Sequence, residues 1–299
     1  ALLSVGKEHL YVWEKQEGIL HENEAAEILY RISADIHMHG SDIKEGKIEL
    51  IADCDGVLKI RRDALLAVNS LGEMMIASRH GDFPVKKGDK IAGTRIIPLV
   101  IEKSKMDKAE KVAGTKPIFS ILPYRSKKVG IITTGSEVQK GLIKDTFTPV
   151  LKEKLGEFSC QILGQTLPGD ERSQITSDIL SFIDQGADMV ICSGGMSVDP
   201  DDRTPGAIKD TGAEIVTYGA PVLPGAMLLL SYYQNNDKII PILGLPGCVM
   251  YARRTVFDLI LPRIMADDQI CADEIASYGE GGLCLNCDVC TFPNCGFGK

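Results

Sequence analysis

From Lys127 to Ile264, apolar runs short enough to be strands alternate with segments long enough to be helices, and this alternation restricts the possible folds more than any other feature. The runs KVGIITTG, QILGQTL, DMVICSGG, EIVTY and KIIPILGLPG read as strands, and the spacing predicts helices near Thr148 to Phe158, Glu171 to Gln185 and Pro205 to Asp210. Strands separated by single helices need crossover connections, so the sheet they build is mostly parallel and covered on both faces. The expected fold class is α/β: a three-layer α/β/α sandwich preceded by a smaller β-rich domain. Thr204 stands where an N-cap belongs, Pro205 where the first helical residue belongs, and Gly212 just past the helix end. A last long helix is expected over Cys248 to Ile264, kinked or ended by Pro262.

Upstream the texture differs. Leu10 and Val12 alternate as in a strand, Trp13 is expected to pack between the N-terminal segments, and Asn23 to Ser33 carries Ala26, Leu29 and Ile32 on one helical face. From Lys47 the runs KIELIAD, GVLKI, EMMIAS and KIAGTRIIPLVI are punctuated by glycines, as in a β-rich domain, with a short helix around Asp63 to Ser70. The lysine-rich stretch from Glu102 to Lys128, with Pro117 and Pro123, marks the junction. The expected organisation is a strand-helix segment over 1–35, a β-rich domain and linker over 36–126, the α/β domain over 127–266 and a cysteine-rich tail over 267–299. At 299 residues and 44% hydrophobic content, such a chain can bury more than one core.

A formal charge of -8 disfavours nucleic acid and anionic membrane as partners. No apolar run reaches the roughly 20 residues of a membrane helix, and the N-terminus lacks the basic-then-apolar layout of a signal peptide, so a cytoplasmic protein is expected.

In open α/β sheets, ligands bind at the carboxyl ends of the strands. Three such ends carry glycines: Thr134-Gly135-Ser136-Glu137, the long loop from Ser193 to Pro205, and Gly244-Leu245-Pro246-Gly247. In the second loop Gly194 and Gly195 let backbone approach a phosphate, with Ser197 and Thr204 alongside. Asp199, Asp201 and Asp202 would repel a phosphate unless a divalent cation bridged them, so with Glu137 they imply Mg²⁺. Gly, Asp and Pro are also ordinary turn formers. It is the coincidence of three glycine-bearing loops at corresponding strand ends, one of them acidic, that points to a phosphate-containing ligand. Nucleotidyl or phosphoryl transfer, phosphate-ester binding and a phosphate-site relic all remain open on the residues alone.

The segments TTGSEV, SGGMSVDPDDRTP and GLPG, in this order, resemble the molybdenum-cofactor biosynthesis domain shared by molybdopterin adenylyltransferases, molybdopterin molybdenumtransferases and the competence-inducible amidase family. The resemblance implies a domain that binds the pterin phosphate of molybdopterin, free or adenylylated, with Mg²⁺ near the acidic residues. Asp202 matches the loop's functional aspartate and Glu137 the acid ending the first motif, which makes them the candidate catalytic residues. Gly194, Gly195 and Ser197 match the phosphate-binding turn. With its preceding β-rich region the chain resembles the multidomain molybdenumtransferases more than the compact adenylyltransferases, which implies a transferase that inserts molybdate into adenylylated molybdopterin and releases AMP. The alternatives are a non-catalytic molybdopterin-binding or sensing protein, and adenylyl transfer onto molybdopterin. Dimers or trimers are usual in these families, so a homo-oligomer is implied. Against the transferase pattern, Ser136 replaces Asp, Asp199 replaces Gly, Cys248-Val249 replaces Asn-Pro, and Leu223-Pro224-Gly225-Ala226-Met227 lacks two lysines. Losing two cations leaves bound anions less compensated.

Of nine cysteines, Cys54, Cys160, Cys192 and Cys248 lie in apolar segments and read as core residues. Cys284, Cys287, Cys290 and Cys295 follow one another in two overlapping CxxC steps and a longer one, with Cys271 upstream. This spacing resembles the bacterial ferredoxin run except for its last gap, and favours a [4Fe–4S] cluster or structural Zn²⁺ over disulfides. With Pro and Gly residues and no apolar periodicity, the tail is expected to have little order without metal. His37 and His39 read as a surface pair, and Arg253 and Arg254 lie close enough to the Gly244 loop to assist an anion.

Overall fold

The computed structural model describes residues 16–197 and 202–299. The strand expected at Leu10 to Val12, the packing of Trp13, and the candidate ligands Asp199 and Asp201 lie outside the described residues. The chain divides between Ile121 and Leu122 into two compact units.

The first unit runs β1 (Ile19–His21), α1 (Glu22–Ser33), β2 (Met38–Gly40), β3 (Lys47–Ala52), β4 (Gly56–Ile60), α2 (Arg62–Asn69), β5 (Met74–Ser78), β6 (Phe83–Val85), β7 (Lys90–Ile96), β8 (Val100–Glu102) and α3 (Lys103–Ala113), with β9 (Phe119–Pro123) reaching the boundary. The strands form small sheets in the orders β1-β8, β2-β3-β7-β5 and β6-β4-β9. The first helix begins one residue earlier than its apolar pattern suggests, because His21 accepts from the Asn23 amide while Glu24 accepts from the His21 amide. Its buried face of Ala25, Ala26 and Leu29 shares one core with Leu50, Met106 and Phe119. The described part of the N-terminal segment is therefore built into the β-rich unit.

The second unit runs β10 (Lys128–Thr134), α4 (Ser136–Gln139), α5 (Phe147–Gly156), β11 (Gln161–Gly169), α6 (Arg172–Asp184), β12 (Met189–Ser193), α7 (Thr204–Asp210), β13 (Glu214–Tyr218), β14 (Leu229–Asn235), β15 (Lys238–Leu245), α8 (Val256–Met265) and α9 (Ala272–Ser277). Its sheet has the order β11-β10-β12-β15-β14-β13. The first four of these strands are parallel, β14 runs against β15, and β13 against β14. Side chains alternate across a strand. Ile132, Val190, Cys192, Ile240 and Ile242 accordingly meet α6 and α7 on one face. Thr133 meets Thr148 of α5 on the other, where Lys154 of α5 pairs with Asp258 of α8. The unit is the three-layer α/β/α sandwich with a mostly parallel sheet that the alternation implies.

Three local expectations need correction. The helix foreseen over Cys248 to Ile264 is two pieces, a 3₁₀ turn at Gly247–Met250 and α8. Thr255 breaks it: its side chain accepts from the Phe257 amide while Asp258 accepts from the Thr255 amide, a capping box that starts a new helix. Pro262 does not end α8, which continues to Met265. At α7 the cap is Arg203 rather than Thr204, because the Thr204 hydroxyl turns back to the Gly194 carbonyl at 2.9 Å. No helix among the described residues is long and apolar enough to cross a membrane.

Candidate functional site

Strands β10, β12 and β15 end at one level, since Thr133 pairs with Ser193 and Ser193 with Leu245. The three glycine loops therefore leave the sheet side by side. In the middle loop Gly194 and Gly195 have φ of +88° and +54°. A Cβ on Gly194 would lie 2.5 Å from the Thr134 carbonyl oxygen, and one on Gly195 would lie 2.9 Å from Thr204 Oγ1. Both conformation and space thus require glycine here.

What fills that space is a network of hydroxyls. Thr134 Oγ1 lies 3.1 Å from Thr204 Oγ1 and donates to the Ser193 carbonyl at 3.3 Å. Ser193 Oγ donates to Thr133 Oγ1 at 3.5 Å, and Gln165 also donates to Thr133. Thr134, Ser193 and Thr204 are all buried. These three side chains hold the turn in shape. The first loop is committed inward in the same way. The Gly135 amide donates to the Gly169 carbonyl at 3.3 Å, and the Ser136 amide to Asp170 Oδ2 at 2.8 Å. In the middle loop the Gly194–Ser197 turn carries the exposed side chain of Ser197.

Gly244 serves this turn from the third loop. Met196 Cε lies 2.5 Å from where a Gly244 Cβ would be, so the glycine admits the buried Met196 side chain that pins the turn to β15. Pro246 is buried and Gly247 exposed. Of the candidate catalytic acids, Glu137 is exposed on α4 and Asp202 is half-buried before α7. Among the described residues, no three of His, Cys, Asp or Glu converge to hold a metal ion.

Tyr218, at the end of edge strand β13, is a site residue that the sequence pattern missed. Its hydroxyl lies 3.0 Å from the Met196 carbonyl and 3.2 Å from that of Ser197, bracing the outer half of the turn. Burial and the charge of Asp202 both raise its pKa, so it stays a donor at neutral pH. Tyr218→Phe is expected to cost about 0.5–1.5 kcal/mol. Ligand affinity should fall several-fold in a titration while the circular dichroism spectrum stays the same.

Residues 130–266 match the family model described as "Probable molybdopterin binding domain". Residues 130–266 belong to that family. The molybdenum-cofactor domain has curated relatives in the molybdopterin molybdenumtransferases of Synechococcus elongatus, 25% identical over 193 residues, and Haemophilus influenzae, 27% identical over 236 residues. Those alignments cover 62% and 76% of this chain but 44% and 54% of the relatives, so the chain spans about half the length of the curated relatives it matches. A crystal structure of the tungsten cofactor synthesizing protein MoaB from Pyrococcus furiosus, 20% identical, is matched over 42% of this chain and 84% of that one with a TM-score of 0.37.

In the molybdenum-cofactor domain, the segment Leu223 to Met227, which lacks the two lysines, is tied to the cysteine tail. The Leu223 amide donates to the Gly282 carbonyl and the Cys284 amide to the Leu223 carbonyl, each at 2.8 Å. Arg253 Nη1 donates to the Asp288 carbonyl at 2.7 Å, and Arg254 stacks over the Phe292 ring at 5.0 Å. Both arginines serve the tail, although they follow the Gly244 loop directly. His39 pairs with Asp53 in the other unit and has no part in the site.

Proposed function

We propose that the domain binds molybdopterin, free or adenylylated, and acts as a molybdenumtransferase that inserts molybdate into the adenylylated form and releases AMP. The observation that carries this reading is the Gly194–Ser197 turn at the end of β12. It has two positive φ angles, is packed from behind by buried hydroxyls and is braced in front by Tyr218. Such a turn is built for close approach of an anion to backbone, and a preorganised turn gives up little freedom on binding. The family match and the names of the curated relatives supply the anion's chemistry.

Asp202, whose charge reaches Tyr218 beside the turn, and Glu137 are the carboxylates that would hold Mg²⁺. The donor set fits, because Mg²⁺ takes one or two carboxylates together with substrate oxygens. When bound, the ion offsets charge on the phosphates. Asp202→Asn is expected to abolish AMP release while the fold and molybdopterin binding persist; full turnover in this variant would overturn its catalytic role.

The test of the whole reading is AMP release from adenylylated molybdopterin with molybdate and Mg²⁺, using anaerobically purified protein. Molybdate-dependent release establishes the transferase. Tight binding without release would favour the sensing reading, which the absence of lysine from Leu223–Met227 supports. Pyrophosphate release from ATP would mark an adenylyltransferase. The reading also carries a homo-oligomer, dimer or trimer, which sedimentation would check.

A further inference from the structure

The cysteine tail is a loop closed at its base and hollow inside. The Gly298 amide donates to the Gly281 carbonyl at 2.9 Å, bringing the two ends of the loop together. Phe297, only 4% exposed, sets its ring 6.2 Å from that of Phe292 within the loop. Cys284, Cys287, Cys290 and Cys295 all carry free thiols, and all four line one cavity of about 230 Å³. Leu283, Leu285, Phe292 and Phe297 supply its apolar wall. Arg253 and Arg254 also line it; Arg254 pairs with Asp258 at 2.8 Å and is in hydrogen-bonding reach of Cys290.

The cavity opens to water, since Leu283 and Leu285 are largely exposed and Cys287 and Cys290 are exposed, so a group can enter it without unfolding the loop. We propose that the cavity is the site of a [4Fe–4S] cluster ligated by Cys284, Cys287, Cys290 and Cys295. A single Zn²⁺ requires its four thiolates about 3.8 Å apart, from Zn–S bonds near 2.3 Å in a tetrahedron. Among the described residues no three such side chains gather around one ion position, while all four thiols line one cavity of about 230 Å³, which has room for a polynuclear cluster. The spacing, two CxxC steps followed by a four-residue gap, is near the bacterial ferredoxin run and differs from it in that last gap. Two ferrous and two ferric ions, four sulfides and four thiolates sum to a dianion. Each thiol loses one proton as its Fe–S bond forms, and Arg253 and Arg254 face the resulting charge.

The full chain, purified anaerobically and stripped with chelator, is offered equal ferrous and ferric iron plus sulfide in one arm and Zn²⁺ alone in the other. The expected result is retention of about four iron and four sulfide per chain after desalting. Visible sulfide-to-iron charge-transfer absorption and an electron paramagnetic resonance signal after reduction should accompany it. Cys287→Ser/Cys290→Ser should lose this iron and colour. Cys54→Ser, in the other unit, should retain both, and circular dichroism should show all three proteins folded. Retention of one Zn²⁺ per chain with no iron–sulfide uptake, uptake of neither, or equal iron in the double variant would each overturn the proposal. Metal content is read without molybdopterin, so this outcome is independent of the transferase assay.

Discussion

Gly194→Ala is expected to weaken molybdopterin binding about tenfold or more and to lower unfolding stability by about 2 kcal/mol. Alanine at φ +88° is strained wherever it stands, and here its Cβ would also meet the Thr134 carbonyl oxygen at 2.5 Å. Backbone of a strand paired on both sides cannot swing away as a flexible side chain can, so the turn must move instead. That displacement takes the amides of the turn out of line with the ligand. Gly212→Ala separates strain from position. Gly212 has φ +83° past the end of α7, and nothing lies within 4 Å of its would-be Cβ. It should lose about 1 kcal/mol on denaturation and no affinity at all. Calorimetric titration and thermal unfolding of both variants check this. Wild-type affinity in Gly194→Ala would remove the turn from the binding site.

The sandwich was legible because central strands buried on both faces leave near-continuous apolar runs. VGIITT and MVICS need no tertiary information to be read as strands. Strand β14 was passed over, although LLSYYQN and KIIPILGL flank Asn236 and Asp237, and Asn236 takes φ +53° in the hairpin between them. It was hidden by its run of polar and aromatic residues, Ser231 to Asn235. At the site the glycines were legible because their need is local: a positive φ has few tenants. The side-chain roles were not. Thr134 and the loop carrying Ser193 and Thr204 are far apart in the chain, and only the assembled sheet shows the bonds among their hydroxyls. Asp170 was missed for a simpler reason. It ends the fourth parallel strand, β11, at the same level as the other loops, but a lone Pro-Gly-Asp reads as a turn. Tyr218 could not have been placed at all, since an edge-strand tyrosine declares no partner until the chain folds back on the turn.

Replacing Arg263 with methionine is expected to cost about 3 kcal/mol at neutral pH. Arg263 is 2% exposed on α8, with Nε donating to Asp268 at 2.5 Å and Nη2 to Glu274 at 2.6 Å. Its removal strands two carboxylates at the base of α9, the helix from which the chain enters the cysteine loop. Asp268 is only 14% exposed and bears most of the penalty; Glu274, at 38%, recovers some solvent and bears less. The pH dependence follows from Glu274. Burial pushes its pKa up, but the Cys271 amide and Arg263 outweigh that and hold it below the ordinary value. A depressed carboxylate contributes stability that is present above its unfolded pKa, near 4.3, and is lost as pH falls through the folded value. Without Arg263 that depression shrinks, so the gap between the two proteins should be widest above about pH 5 and should narrow below about pH 4. Denaturant titrations at several pH values measure it. A constant gap across that range would mean that lost packing, rather than the ion pairs, makes Arg263 matter. Proteolysis adds a structural check: with α9 released, cleavage near Asp273 should quicken before the sheet unfolds.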